Sequence, residues 1–436
     1  MLLGHVIVLI VDVLARFLSG PGTRAGPAPQ LRRRPDREAL TADPAKPGRA
    51  YVTWVRRLGS FGENGTQQFA STSDGGRTWS APRTIYVPGA AKLPDPILLN
   101  VLPDGTLLDT FVVIDATSQV RSEPVPFDIM AMRSRDDGQT WSAPVKIAQT
   151  LSTQPKDPDS GSQIRSLPIV STAVGPTGQA RIVWNEIASK TASTIFTATS
   201  DDGGAHWSAP KEVALPRGQA FLPSVAVGRD GSIGVLFDDT REDRPGDKQL
   251  TTNVWLDVSR DAGRTWSERK VAGPFDALGA SETSSTGVAG HFLGDYQGFV
   301  ALPRGFGAAY PVAGAPGVVG PSDIAFARLP VEGGRPVTLP RQLVLRVRPR
   351  TIRSGRRTTL RIRVTRGGAP ARSARLAVAG RRLRTNADGE VVIGVRPSGR
   401  ARAVRVHASR TGLRSATAVV RVTRVRRAAA ARVLTR

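Results

Sequence analysis

The residue types best suited to chemistry in this chain come as a repeated cluster, a carboxylate set among hydroxyls, glycines and a tryptophan. It reads STSDGGRTWSAP at Ser71–Pro82, SRDDGQTWSAP from Ser134, SDDGGAHWSAP from Ser200 and SRDAGRTWSER from Ser259. A carboxylate in such company could serve general acid–base work. Catalysis needs that group once or twice, however, and here one equivalent place is filled four times. A turn needs the same residues. The Asp accepts backbone N–H groups as in an Asx-turn, the Gly two positions on takes positive φ without a Cβ clash, and the Trp buries apolar area against the next sheet. Asp74 with Trp79, Asp136 with Trp141, Asp202 with Trp207 and Asp261 with Trp266 are therefore read as scaffold, one stabilising unit per repeat.

Other chemistries are bounded by composition. The 436 residues include no cysteine, which excludes disulfides, thiolate metal sites and a cysteine nucleophile. The four histidines, His5, His206, His291 and His407, have no pair at a metal-ligand interval. No cofactor is expected. The stretch KDPDSGSQ, with Asp157, Asp159 and Ser160, could offer oxygens to a structural calcium, although it lacks a full loop pattern.

The elements that must position these groups are short strands. Gly (45) and Pro (33) are abundant, which favours strands and turns over long helices. The equivalent aspartates are separated by 62, 66 and 59 residues. Within the second unit PILLNVL, TLLDTFVVI, FDIMAMRS and VKIA read as four strands, with the box between the last two. The third and fourth units repeat the pattern. Four strands per unit at this period imply the blades of a β-propeller.

Ser/Thr-x-Asp-x-Gly-x-Thr-Trp resembles the Asp-box, or BNR repeat, of the sialidase (neuraminidase) superfamily. It is matched by Thr72, Asp74, Gly76, Thr78 and Trp79, again from Ser134 to Trp141 and from Ser259 to Trp266, and with His206 in place of Thr in the third copy. The resemblance implies an all-β, sialidase-like propeller over roughly residues 43–335, with the boxes at the blade rim, remote from substrate. The family has six blades. Five can be read here, the fifth, HFLGDYQGFVALPRGFGAAYPV with SDIAFARLPV, having no box.

The resemblance also implies chemistry. Family sialidases use a Tyr nucleophile activated by a Glu, an Asp acid/base and three Arg that hold the substrate carboxylate. A neutral phenol avoids repulsion with an anionic sugar, and Arg pairs bidentately with carboxylate. The family's Phe/Tyr-Arg-Ile-Pro motif is absent, and the nearest stretches are LPDP around Asp95 and IRSLP around Arg165; Arg165 and Asp295 are expected, with Arg241 and Asp239, to bind substrate. Of the four tyrosines, Tyr51, Tyr86 and Tyr310 lie in strand-like runs. Tyr296 in LGDYQG is flanked by Gly294 and Gly298, with Asp295 beside it. It is either the nucleophile at the central face, with Glu282 as activator and Asp95 as acid/base, or a loop Tyr satisfying a hydrogen bond. The loop FDDTREDRPGDKQ follows an apolar strand. It offers Arg241 as an anion-binding Arg with Asp238 or Asp239 nearby, or else is a solvated hairpin. Two functions stay open: an exported sialidase-like glycoside hydrolase acting on terminal acidic sugars, or a non-catalytic glycan- or protein-binding surface propeller.

The net charge of +25 is confined to one end. Residues 341–436 hold 27 of the 61 basic groups, all Arg, and two acids, Asp388 and Glu390; the rest of the chain is neutral. Stretches such as LVLRVRPR, TTLRIRVT and RAVRVHAS alternate as strands of a small sandwich resembling a bacterial immunoglobulin-like domain. The alternation puts Arg on one face and Val on the other. An anionic wall polymer or membrane surface is the expected partner of this module. With no aromatics and no reading motif, sequence-specific nucleic acid is not. The boundaries expected are an apolar segment 1–20 (signal or anchor), a linker 21–42, the propeller 43–337, the sandwich 341–425 and a basic tail 426–436. The protein is expected to be a monomer, outside the cell or on its surface.

Overall fold

The computed structural model describes residues 35–423 apart from 59–63, 116–123, 153, 167–168, 190–191, 214–217, 284–288, 315–319, 333–334, 338–341, 367–368, 400 and 411–412. The segment 1–20 and the basic tail lie outside the described residues. The chain divides into two compact units, Met1–Glu186 with Thr194–Val337, and Ile187–Ser193 with Thr338–Arg436.

The first unit is a β-propeller of sequential antiparallel sheets. Blade one is Pro35–Ala42, Ala50–Leu58, Asn64–Thr72 and Arg83–Tyr86. Blade two is Lys92–Val101, Leu107–Asp115, Val125–Ser134 and Val145–Ser152. Blade three is Val170–Val174, Ala180–Ser189, Ala192–Ser200 and Lys211–Glu212. Blade four, Ala220–Val227, Ile233–Asp239, Thr251–Ser259 and Trp266–Asp276, is extended at its edge by Arg335–Val337. Blade five has three described strands, Gly298–Ala301, Phe306–Ala313 and Ser322–Leu329. The first strands of successive blades pack side by side. Five blades are thus present among the described residues, and the expected linker is corrected at its end: residues 35–42 form the first strand of blade one, paired with Ala50–Arg56.

The second strand of each central blade is covered on both faces, so its sequence is a continuous apolar run rather than an alternation. Leu107–Ile114 and Ile233–Asp239 are buried at every position. A carboxylate in such a strand has no route to solvent, which is how Asp109, Asp238 and Asp239 come to be fully buried.

The boxes are turns. In the first, Thr72 Oγ1 donates to Asp74 Oδ1 at 2.8 Å, the Thr78 amide to the same oxygen at 2.9 Å and Thr78 Oγ1 to Oδ2 at 2.6 Å. Asp136 and Asp261 repeat all three bonds, and in the third copy His206 replaces the Thr, its Nδ1 lying 2.6 Å from Asp202 Oδ2. Hydrogen bonds to the charged form hold these carboxyls below the usual range, Asp136 at about 2, with the Thr140 hydroxyl the largest cause. Trp141 meets Phe69 of the preceding blade edge-on at 5.5 Å. The scaffold reading of the four clusters is the one this geometry supports.

The second unit is a two-sheet sandwich. Leu343–Arg348, Thr358–Arg366, Ala369–Pro370 and Glu390–Val395 form one sheet. Thr351–Arg353, Ala416–Thr423, Ala403–Ser409, Arg375–Val378 and Arg381–Arg384 form the other. Val, Ile, Leu and Ala from both sheets fill its core, Leu360, Val364, Val406 and Val420 being wholly buried.

Candidate functional site

Each Asp-box joins a third strand to a fourth, so it lies at the same end of its blade as the turn between the first and second strands. Arg133 Nη1 accordingly donates to the Asp202 carbonyl of the next box at 3.2 Å. The opposite end of the propeller carries the loops between second and third strands and the segments that lead into each new blade. The expected site residues fall at this end or just inside it.

Two of those entering segments are stitched together. Arg165 N donates to the His291 carbonyl at 2.8 Å, His291 N to the Gln163 carbonyl at 2.8 Å, and Gln163 Nε2 to the Ala289 carbonyl at 2.7 Å. This brings Arg165, ahead of blade three, onto Asp295, ahead of blade five: Nη1 lies 3.4 Å from Oδ1. The guanidinium stacks 4.5 Å above the Phe292 ring, and its buried Nε has no hydrogen-bond partner. The side chain retains 16% exposure, so Arg165 is braced and incompletely satisfied, a state suited to receiving an anion. Tyr296 follows Asp295 and is 55% exposed.

Below this mouth, Gln297 Nε2 donates to Asp238 Oδ1 at 2.9 Å, and Asp238 Oδ2 has no partner. Burial pushes the Asp238 carboxyl up to about 8, the Gln297 bond opposing it. It is therefore mostly protonated at neutral pH.

The remaining expectations separate. The Glu282 carboxylate is 79% exposed and sits 3.5 Å from His291 Nε2. Asp95 is buried at the start of Lys92–Val101, opposite Val112.

Arg241 and Asp239, expected to bind substrate, form an internal lock instead. Arg241 Nε is 3.1 Å from Asp239 Oδ1 and Nη1 is 2.7 Å from Glu268 Oε2. The guanidinium lies 4.1 Å over Trp255, with the side chain only 6% exposed. Burial lowers its pKa, but the two carboxylates outweigh burial and raise it. Burial is also the chief cause that raises Asp239 and the neighbouring Asp257. Two carboxylates already offset its charge, which weakens any pull on a ligand carboxylate. Arg241 nevertheless borders, with Glu242, Asp243, Arg244, Gln249 and Phe275, an open cleft of about 790 Å³, within the range of small-ligand sites.

The KDPDSGSQ oxygens are likewise engaged. Asp157 accepts from the Asp159 and Ser160 amides and from Ser160 Oγ, and Asp159 Oδ2 accepts from the Gly246 amide at 2.5 Å. Among the described residues no group of acidic or histidine side chains is arranged to hold a metal.

Sequence reasoning did not assign Gln297 or Phe292 to the site. Their only signal was position, one or a few residues from Asp295 in the segment entering blade five.

Comparison with known proteins adds the following. Residues 62–266 match the model of the BNR repeat-like domain. No curated protein matches the chain. Among solved structures, an α-L-arabinofuranosidase from Fusarium graminearum is 14% identical with a TM-score of 0.43, covering 90% of this chain and 95% of its own. An α-L-arabinanase from Penicillium chrysogenum is 16% identical with a TM-score of 0.42, covering 90% and 96%. A Hadza microbial sialidase is 14% identical with a TM-score of 0.42, covering 88% and 65%. All four Asp-box aspartates and their tryptophans, from Asp74 to Trp266, lie within the matched residues, so residues 62–266, which fold as blades of the β-propeller, are similar to a BNR repeat-like domain.

Proposed function

We propose that the propeller binds the terminal acidic sugar of a glycan at the mouth formed by Arg165, Asp295 and Tyr296, as a glycan-recognising propeller rather than a sialidase. One observation carries the reading: Arg165, braced by Asp295 and Phe292 and with a buried Nε left unpartnered, faces one carboxylate and keeps 16% exposure, whereas Arg241 faces two carboxylates and keeps 6%. The engagement of Glu282 with His291 and of Arg241 with Asp239 and Glu268 argues against the sialidase arrangement. The test is titration of sialyllactose and of neutral lactose onto the full chain and onto Arg165→Gln. Preferential binding of the sialylated sugar, weakened at least about tenfold in the variant, supports the reading; equal binding by both proteins sinks it.

Hydrolysis is the second reading, favoured by the exposed Tyr296 phenol beside Asp295. Release of fluorophore from a fluorogenic sialoside, lost in Tyr296→Phe, would establish it in place of simple binding.

A further inference from the structure

In the five-stranded sheet of the second unit, burial alternates strictly along Ala403–Ser409, so Val404, Val406 and Ala408 face the core while Arg405 and His407 face solvent. Its neighbours follow the same rule, with Arg353, Arg375, Arg382, Arg384 and Arg421 all exposed. The register orders these charges. Arg375 stands directly opposite Arg384 and, through its pairing with Ser409, diagonal to His407. Arg405 is two residues along from His407. Arg421, opposite Ala403, is diagonal to Arg405, and Arg353, two pairs beyond the Thr351–Arg421 pair, is diagonal to Arg421. Diagonal neighbours in a sheet are about 7–8 Å apart. Five arginines, Arg384, Arg375, Arg405, Arg421 and Arg353, with the polar His407 between the second and third, thus run corner to corner as one band.

No acid occurs in any of the five strands. Among the described residues none of these six arginines makes an ion pair; the pair of Arg363 with Glu390 at 4.0 Å belongs to the other sheet. Like charges directly opposite, as at Arg375 and Arg384, destabilise a sheet. The band is therefore a feature that only an external anion relieves.

We propose that this face docks a linear acidic polysaccharide, carboxylated or sulfated, along the diagonal. Three observations select that partner. The module from 341 on has no Phe, Tyr or Trp, so it offers no platform for stacking single-stranded bases. A flat sheet five strands wide, about 19 Å at the usual strand spacing, is too broad for the roughly 12 Å major groove of duplex DNA. The exposed apolar residues of the face, Val419 and Ala403 among them, are too small to anchor in a bilayer. Guanidinium forks, by contrast, match carboxylates and sulfates spaced along a chain. The proposal does not depend on what the propeller binds.

The experiment uses the full chain on immobilised polygalacturonate and heparin under a salt gradient. Removing four charges from the band (Arg353→Gln, Arg375→Gln, Arg405→Gln, Arg421→Gln) is expected to weaken binding about 30-fold, four exposed ion pairs of ordinary strength, and to flatten the salt dependence. Removing four from the propeller surface (Lys211→Gln, Arg229→Gln, Arg304→Gln, Arg328→Gln) is expected to change affinity less than about threefold. Equal losses in the two variants, or an equal loss on stripping Arg346, Arg348, Arg361 and Arg363 from the opposite sheet, overturn the assignment of the face. Tighter binding to duplex DNA or to phosphatidylserine vesicles than to either polysaccharide at the same salt overturns the partner. Should the band variant fail to fold, phenylglyoxal modification of the unaltered protein decides: polygalacturonate must protect Arg375, Arg405 and Arg421, and unprotected arginines refute the proposal.

Discussion

Replacing Arg241 by Met tests the reassignment of that residue from ligand binding to internal structure. Met keeps most of the side-chain length over Trp255 but removes the charge facing Asp239 at 3.1 Å and Glu268 at 2.7 Å. Removing one partner of a buried pair typically costs about 3–5 kcal/mol, because the other charge stays buried without compensation. Loss of the cation over the indole ring at 4.1 Å adds about 1 kcal/mol. A destabilisation near 4 kcal/mol is therefore expected at pH 8. The pH dependence carries its own sign. With Arg241 present, burial already raises the Asp239 pKa and the guanidinium opposes it. Without Arg241 the native pKa climbs further above the unfolded value of about 4. The native carboxyl then keeps a proton that the unfolded chain releases, so stability is lost as pH rises. The penalty of the substitution should be smaller at pH 5 than at pH 8. Urea unfolding followed by tryptophan fluorescence is the assay, since all seven tryptophans lie between Trp54 and Trp266 and report the propeller alone. A loss under 1 kcal/mol at pH 8, or the same loss at pH 5, would refute the internal-lock argument. So would intact stability combined with lost glycan binding.

Two further substitutions probe the scaffold. Asp109 is fully buried, takes a hydrogen bond from Gln67 Nε2, and is pushed by burial up to about 8. Its native carboxyl holds a proton that the unfolded chain gives up near pH 4, so propeller stability should fall between pH 4 and 8, by up to about 1.4 kcal/mol per unit. Asp109→Asn should flatten that slope and be the more stable protein at pH 8 by more than about 1 kcal/mol, as read by urea midpoints across the range. Gly138→Ala should cost about 3 kcal/mol, because φ is +83° and a Cβ would run into the Phe69 ring. Gly75→Ala, at φ +74° with open space around it, should cost only about 1 kcal/mol of backbone strain. Equal midpoint shifts for the two alanines would remove the inter-blade packing explanation.

What the sequence disclosed, and what it hid, follows from how far apart the interacting groups lie along the chain. The Asp-boxes were legible because Thr72, Asp74, Gly76 and Thr78 close their hydrogen bonds within seven residues. Arg241 was not legible. Its second partner, Glu268, is 27 residues away and lies two strands across the sheet, beyond Thr251–Ser259. Arg165 and Asp295 are separated by 130 residues and meet only because two blade-entering segments run side by side. The two arginines also differ in where the propeller puts them. Arg241 directly follows a second strand, and second strands are covered on both faces by neighbouring blades; a charge there must find its counter-charge inside the protein. Arg165 directly precedes a first strand, at the end of the propeller opposite the turns, where the chain passes from one blade to the next and only partly covers its own side chains. A guanidinium in that position can be braced by one acid and one ring and still face outward. For a repeat protein of this kind, place within the blade thus separates two arginines that residue type alone does not, and it is the ground on which Arg165 rather than Arg241 is proposed to meet the anion.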